Sequence, residues 1–138
     1  MKARLLREAA ATAPLWITAR GTSMGRTVPT GSSVLVARSA PPRSGQVWAY
    51  CDLSGRVVVH RYRRHTGAGH VLQGDTVTYP DAPIGDEQLI GKVTAVRRGE
   101  QVRSLGWTDR CVGASQRIPR AMVARASRMA RRLRLRDR

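Results

Sequence analysis

Three stretches decide the fold: Ser33-Val34-Leu35-Val36-Ala37-Arg38, Gln46-Val47-Trp48-Ala49-Tyr50-Cys51 and Arg56-Val57-Val58-Val59-His60-Arg61-Tyr62. Each is short, rich in β-branched or aromatic side chains, and bounded by residues that favour turns. The boundaries are Ser39-Ala40-Pro41-Pro42-Arg43-Ser44-Gly45 and Ser54-Gly55, with Thr66-Gly67-Ala68-Gly69 and Pro80 to Gly85 farther on. Outward from this centre, Leu15 to Ala19, a short Val71-Leu72 and Leu89 to Arg97 read as further strands. Residues 2–12 read as a short helix with Leu5, Leu6 and Ala9 on one side, stopped by Pro14. Many short strands with little helix predict a mainly β (β-rich α+β) domain built on a curled sheet or barrel.

The chain has 138 residues, 41% of them hydrophobic, which is the size of one ordinary domain and enough to form a core. Only 4% are aromatic and none is Phe, so the core is expected to be Val, Leu, Ile, Ala and Met. Lys and Arg number 25 against 9 acids, a net charge of +16 that attracts anionic partners. Only Lys2 and Lys92 are lysines, and an arginine and alanine bias of this kind also follows from coding composition. The longest runs without charge, Ala9 to Ala19 and Thr27 to Ala37, are 11 residues each, and a membrane-spanning helix needs about 18 or more. Charge interleaved through Met1-Lys2-Ala3-Arg4-Leu5-Leu6-Arg7-Glu8 makes a poor secretory signal. Cys51 and Cys111 lack metal-ligand spacing and read as buried thiols in a cytoplasmic protein.

The composition changes near residue 114, dividing the chain into a domain over residues 1–114 and a basic segment over residues 115–138. That segment holds nine arginines and one acid, Asp137, and so carries +8. Ile118, Met122, Ala126, Met129 and Leu133 recur three and four apart, the spacing of a basic amphipathic C-terminal helix. Its partner is then an anionic membrane surface, a nucleic acid or an acidic protein, unless the Met/Leu stripe simply packs on the domain.

Candidate chemistry lies in three segments. Ser23 sits in Arg20-Gly21-Thr22-Ser23-Met24-Gly25-Arg26, where Gly21 permits a sharp turn and close approach of a substrate. The amides of Thr22 and Ser23 are candidates to bind an oxyanion. His60 lies in Val57-Val58-Val59-His60-Arg61-Tyr62, on the face shared with Val58 and Tyr62 by period-2 alternation. His65 and His70 flank the Gly67-Ala68-Gly69 loop and read as solvated. Gly74-Asp75-Thr76-Val77-Thr78-Tyr79-Pro80-Asp81 offers two carboxylates, either able to orient an imidazole, while each also suits an ordinary turn or loop cap.

Together these segments resemble a family. Gly21-Thr22-Ser23-Met24, Pro29-Thr30-Gly31-Ser32-Ser33-Val34-Leu35-Val36 and Gly45-Gln46-Val47-Trp48-Ala49-Tyr50 look like signal-peptidase motifs. So do Val58-Val59-His60-Arg61, Gly74-Asp75 with Asp81, and Ile90-Gly91-Lys92-Val93. In order and spacing the stretch from Arg20 to Val96 is similar to the signal peptidase / LexA-type serine peptidase superfamily. The base in that superfamily is a lysine in bacterial signal peptidases and LexA-type repressors, and a histidine in the archaeal and endoplasmic-reticulum type. Here the position holds His60, so the resemblance is to the histidine type, without a membrane anchor. Gly25-Arg26 stands where the family usually has a residue and then Pro, and Gly21 replaces a frequent hydroxyl-bearing oxyanion donor.

The resemblance implies a signal-peptidase-like domain and a soluble serine endopeptidase with no metal or organic cofactor. Its nucleophile would be Ser23, its base His60 and its acid Asp81, with Asp75 ranked second. Thr22 and Ser23 amides would form the oxyanion site, and Gly21 and Met24 would contact substrate. The substrate would be a peptide or precursor protein, such as one carrying a leader, laid along an exposed sheet edge. Two other functions compete. A self-cleaving regulatory module needs a cleavable segment ahead of the peptidase. A catalytically inactive module of the same fold would use the basic segment to dock on nucleic acid or on an anionic membrane, where the protein would be peripheral.

Overall fold

The computed structural model describes residues 1–106; Cys111 and the proposed helix in residues 115–138 lie outside the described residues. Helix α1 (Lys2–Thr12) is followed by strands β1 (Leu15–Thr18), β2 (Ser33–Ala37), β3 (Val47–Cys51), β4 (Val57–Thr66) and β5 (Gly69–Gln73). A short turn of 3-10 helix at Asp86–Gln88 leads into β6 (Leu89–Arg98), and β7 (Gln101–Ser104) completes the described order. The seven strands form one antiparallel sheet in the order β1-β2-β6-β3-β4-β5, with β7 beside β6. The sheet curls without closing into a barrel among the described residues.

Strand β6 organises the curl. Lys92 to Arg97 pair with β2 along one edge, while the other edge takes β3 at Leu89 to Lys92 and β7 at Ala95 to Arg98. Opposite Leu35 and Val36 of β2, Thr94 is an extra residue of β6, and this bulge bends β6 where it crosses β2.

All five residues of β3 are buried because both faces of the sheet are covered. Alternation sends Val47, Ala49 and Cys51 into one cluster with Val34, Val36, Val59, Ile90, Val93 and Val96, capped by α1. It sends Trp48 and Tyr50 into a second cluster with Tyr62, Leu72, Ile84 and Leu89. The aliphatic core expected from composition describes only the first cluster; among the described residues the three buried Trp and Tyr side chains, Trp48, Tyr50 and Tyr62, all lie in the second.

Helix α1 is built from good helix formers and ends at Ala13, which is extended as the residue before a proline prefers. Its buried face differs from the sequence expectation. Ala3 and Ala10 are buried and Leu6 half-buried, whereas Leu5 is 60% exposed and Ala9 lies in solvent. Two alanines about two helical turns apart allow the helix to sit close on the sheet, and that contact outweighs placing Leu5 inside.

Two strand boundaries also depart from expectation. β4 continues past Tyr62 to Thr66 because Arg64 and His65 pair with Val71 and His70 in a hairpin arm. Strand β7 was not among the strands read from sequence, and it is stabilised by backbone pairing to β6 with exposed or half-buried side chains.

Candidate active site

Ser23 stands in the loop between β1 and β2, two residues after Gly21, whose φ of +85° favours glycine. Gly25 donates its N–H to the Thr22 carbonyl at 3.0 Å, closing the turn around Ser23. The turn is held from the opposite side by the segment after β5. Thr76 donates its N–H to the Ser23 carbonyl at 2.9 Å, and its hydroxyl reaches the Thr22 and Ser23 carbonyls at 3.2 and 3.1 Å. Gly74 makes this contact possible: a Cβ there would lie 2.7 Å from the Ser23 carbonyl oxygen and 2.9 Å from the Ser23 Cβ.

His60 projects from β4 on the face of Val58 and Tyr62, as alternation predicts, and is 9% exposed. The Ser23 hydroxyl donates to His60 Nε2 at 2.8 Å, and His60 Nδ1–H donates to Asp81 Oδ2 at 2.5 Å. A carboxylate can only accept, so Asp81 fixes the proton on Nδ1 and leaves Nε2 free to take one. Asp81 is itself anchored, because its N–H donates to the Leu72 carbonyl at the edge of β5. The Tyr50 hydroxyl donates to the same Oδ2 at 2.8 Å.

Asp75 does not contact His60. Its carboxylate receives Arg61 Nε and Nη2, each at 2.8 Å, and the Thr27 hydroxyl at 2.7 Å. Burial acts to raise its pKa, but the hydrogen bonds from Arg61 and Thr27, with the charges of Arg61 and Arg63, hold it below the usual carboxylate range. Arg61 is buried on the first core's face of β4 and also donates Nη1 to the Gly45 carbonyl at 2.8 Å. The second carboxylate is therefore taken by an arginine that alternation points away from His60.

Thr22 is exposed, and the amides of Thr22 and Ser23 donate to no protein acceptor among the described residues. Met24 is 3% exposed and packs mainly in the first core. What remains of its surface joins Gly21 and Ser23 in lining a groove of about 890 Å³. Leu15 to Thr18 of β1 form one wall and Val57 to Val59 of β4 the other. Among the described residues neither wall has a strand on its outer edge, since β1 pairs only with β2 and β5 joins β4 only from Arg61 onward. Four successive antiparallel pairings separate β1 from β4, so the two walls run in the same direction, toward Ser23 and His60.

His70 departs from its sequence reading: it is 7% exposed, with its backbone paired to Ile84. Tyr62 donates its hydroxyl to Nδ1 at 2.8 Å, and Asp86 accepts from Nε2. Cys51 is buried as expected, and burial pushes its thiol pKa up. Among the described residues no cluster of three or more His, Cys, Asp or Glu side chains could hold a metal ion. No described helix is long and apolar enough to cross a membrane.

Sequence reasoning passed over Tyr50, Thr76 and Arg61. Arg61 did carry a signal, because a charged residue at an inward strand position requires a buried partner. Tyr50 and Thr76 carried none, since their partners lie 31 and 53 residues away.

A family model described as Peptidase S24-like matches residues 3–94, two thirds of the chain. A comparison with curated proteins finds no match.

Proposed function

The chain belongs to the Peptidase S24-like family, of the LexA and signal-peptidase type, and from that premise we propose that it is a serine endopeptidase with a histidine base. The observation that carries the proposal is the unbroken chain from Ser23 Oγ through His60 Nε2 and Nδ1 to Asp81 Oδ2.

Ser23 Oγ attacks the scissile carbonyl carbon while His60 Nε2 takes the hydroxyl proton. The resulting oxyanion is bound by the amides of Thr22 and Ser23. Asp81 holds the imidazole orientation and stabilises the imidazolium. Collapse breaks the C–N bond, His60 returns its proton to the leaving amine, and a water activated by the same imidazole then hydrolyses the acyl-enzyme. Asp75 acts elsewhere, pairing with Arg61 to place the segment that clamps the Ser23 turn.

The substrate is an extended peptide or precursor-protein segment lying between β1 and the first half of β4. Both outer edges offer backbone donors and acceptors, so main-chain pairing supplies affinity and the pockets supply specificity. Leader removal from a precursor is a form of this activity, and the Arg-rich residues 115–138 dock the enzyme on an anionic membrane surface or nucleic acid.

A fluorophosphonate probe, which captures activated serines, tests the proposal. Mass spectrometry should find the adduct on Ser23 in the parent and lose it in His60→Ala, while an unbiased peptide library should be cleaved only by the parent. A folded parent that neither labels nor cleaves would leave the catalytically inactive binding module in its place.

A further inference from the structure

We infer that Tyr50 is a positioning residue for the base: its phenol holds Asp81 against His60 and limits how strongly the carboxylate favours the imidazolium. The inference rests on the serine-peptidase reading for its catalytic meaning, although its physical content concerns only the imidazole.

Three observations support it. First, the Tyr50 hydroxyl and His60 Nδ1–H donate to one and the same oxygen of Asp81, at 2.8 and 2.5 Å. Second, Tyr50 is 4% exposed and fixed within the second core, with its ring edge-on to the imidazole at 6.3 Å between centroids. Third, burial, and then the hydrogen bond and charge of Asp81, hold the phenol's pKa far above its ordinary value, so it remains a proton donor throughout the neutral range.

An oxygen shared between two donors stabilises each of them less than an oxygen committed to one. If Asp81 served His60 alone, the imidazolium would gain more and the base would hold its proton to higher pH, where it is useless for taking one from Ser23. Tyr50 moderates this while anchoring the carboxylate from β3, independently of the β5 backbone contact. The other charges nearby do not replace it. Arg61 and Asp75 neutralise each other on the opposite face of β4, and Asp52, in the β3–β4 turn, is an acceptor that acts on the Tyr50 phenol through its charge.

Tyr50→Phe keeps the ring and removes a single donor. The imidazole of His60, followed by NMR through a pH titration, should show its midpoint at higher pH in the variant by about one unit, roughly a tenfold change in proton affinity. The rate of fluorophosphonate labelling at Ser23 should move its acid limb the same way and keep its high-pH plateau. Incorporating 3,5-difluorotyrosine at position 50 makes a stronger donor and should move the midpoint to lower pH; this measurement also serves if Tyr50→Phe fails to fold. A merely structural role would lower the rate at every pH without moving the limb. A midpoint that is unchanged, or lower, in Tyr50→Phe would overturn the inference, as would a difluorotyrosine protein that does not shift. If the parent never labels, the peptidase proposal fails while the NMR titration still decides the effect of Tyr50.

Discussion

The backbone N–H of Thr76 donates to the carbonyl oxygen of Ser23 at 2.9 Å, so the residue that follows Asp75 clamps the turn bearing the proposed nucleophile. Asp75 is held by Arg61, and Arg61 follows His60 on β4. The proposed base and the arginine that anchors the clamp thus share one strand, so the register of β4 links the two sides of the site.

Gly74→Ala tests that clamp. The new Cβ would fall 2.7 Å from the Ser23 carbonyl oxygen and 2.9 Å from its Cβ, so the Ser23 turn or the Gly74 segment must shift. Labelling at Ser23 should drop by about 100-fold, the order that an ångström of misplacement costs. The stability loss should be about 1–3 kcal/mol, as for other overpacked sites. Thermal melting beside labelling kinetics checks both, and parent-like rates would show that the close approach does not position Ser23.

Asp75 links the clamp to pH. Its folded pKa is depressed, so its stabilisation is complete above the unfolded carboxylate value of about 3.9 and is lost as pH falls through the lower folded value. Melting temperature should therefore fall with acidification in that window for the parent and change less for Asp75→Asn. At neutral pH Asp75→Asn should cost about 2 kcal/mol, less than the roughly 3–5 for a fully buried pair because Asp75 keeps 22% of its side-chain exposure.

The proposed triad predicts a particular pattern of failure. Ser23→Ala and His60→Ala should each abolish turnover as fully as the double variant, because the two act as a unit. Asp81→Asn should keep the fold but permit the wrong tautomer, at a cost of up to roughly 10⁴ in rate. Asp75→Asn should cost less than Asp81→Asn, acting through the Ser23 turn. Peptide cleavage followed by mass spectrometry gives the order, and a reversal of the two carboxylates would reassign the acid.

Removal of residues 115–138 takes away nine arginines and one acid. Binding to anionic vesicles or to nucleic acid should weaken and lose most of its salt dependence. Sedimentation with phosphatidylserine vesicles and a filter-binding assay with duplex DNA distinguish the two partners. Binding that survives truncation undiminished would move the anionic site to the rest of the chain.

The elements that the sequence determined are those encoded within a few neighbouring residues. Period-2 alternation places His60 with Val58 and Tyr62, and Pro14 ends α1 through a steric clash with the residue before it. The strand cores of β2, β3 and β6 are legible for the same local reason, as is the turn at Gly21. Strand β7 and the outer half of β4 are less legible, because backbone pairing and polar side-chain contacts hold them without an apolar pattern. The burial of Ala3 and Ala10 instead of Leu5, and of His70 in place of a solvated histidine, depends on what packs opposite. Above all, two carboxylates six residues apart in one loop are chemically equal until the register of β5 is set. Only the tertiary structure pins Asp81 beside Leu72, toward His60 and Tyr50, and gives Asp75 to Arg61. Partners 14 to 48 residues apart meet through sheet register and opposing faces, which no local period in the chain encodes.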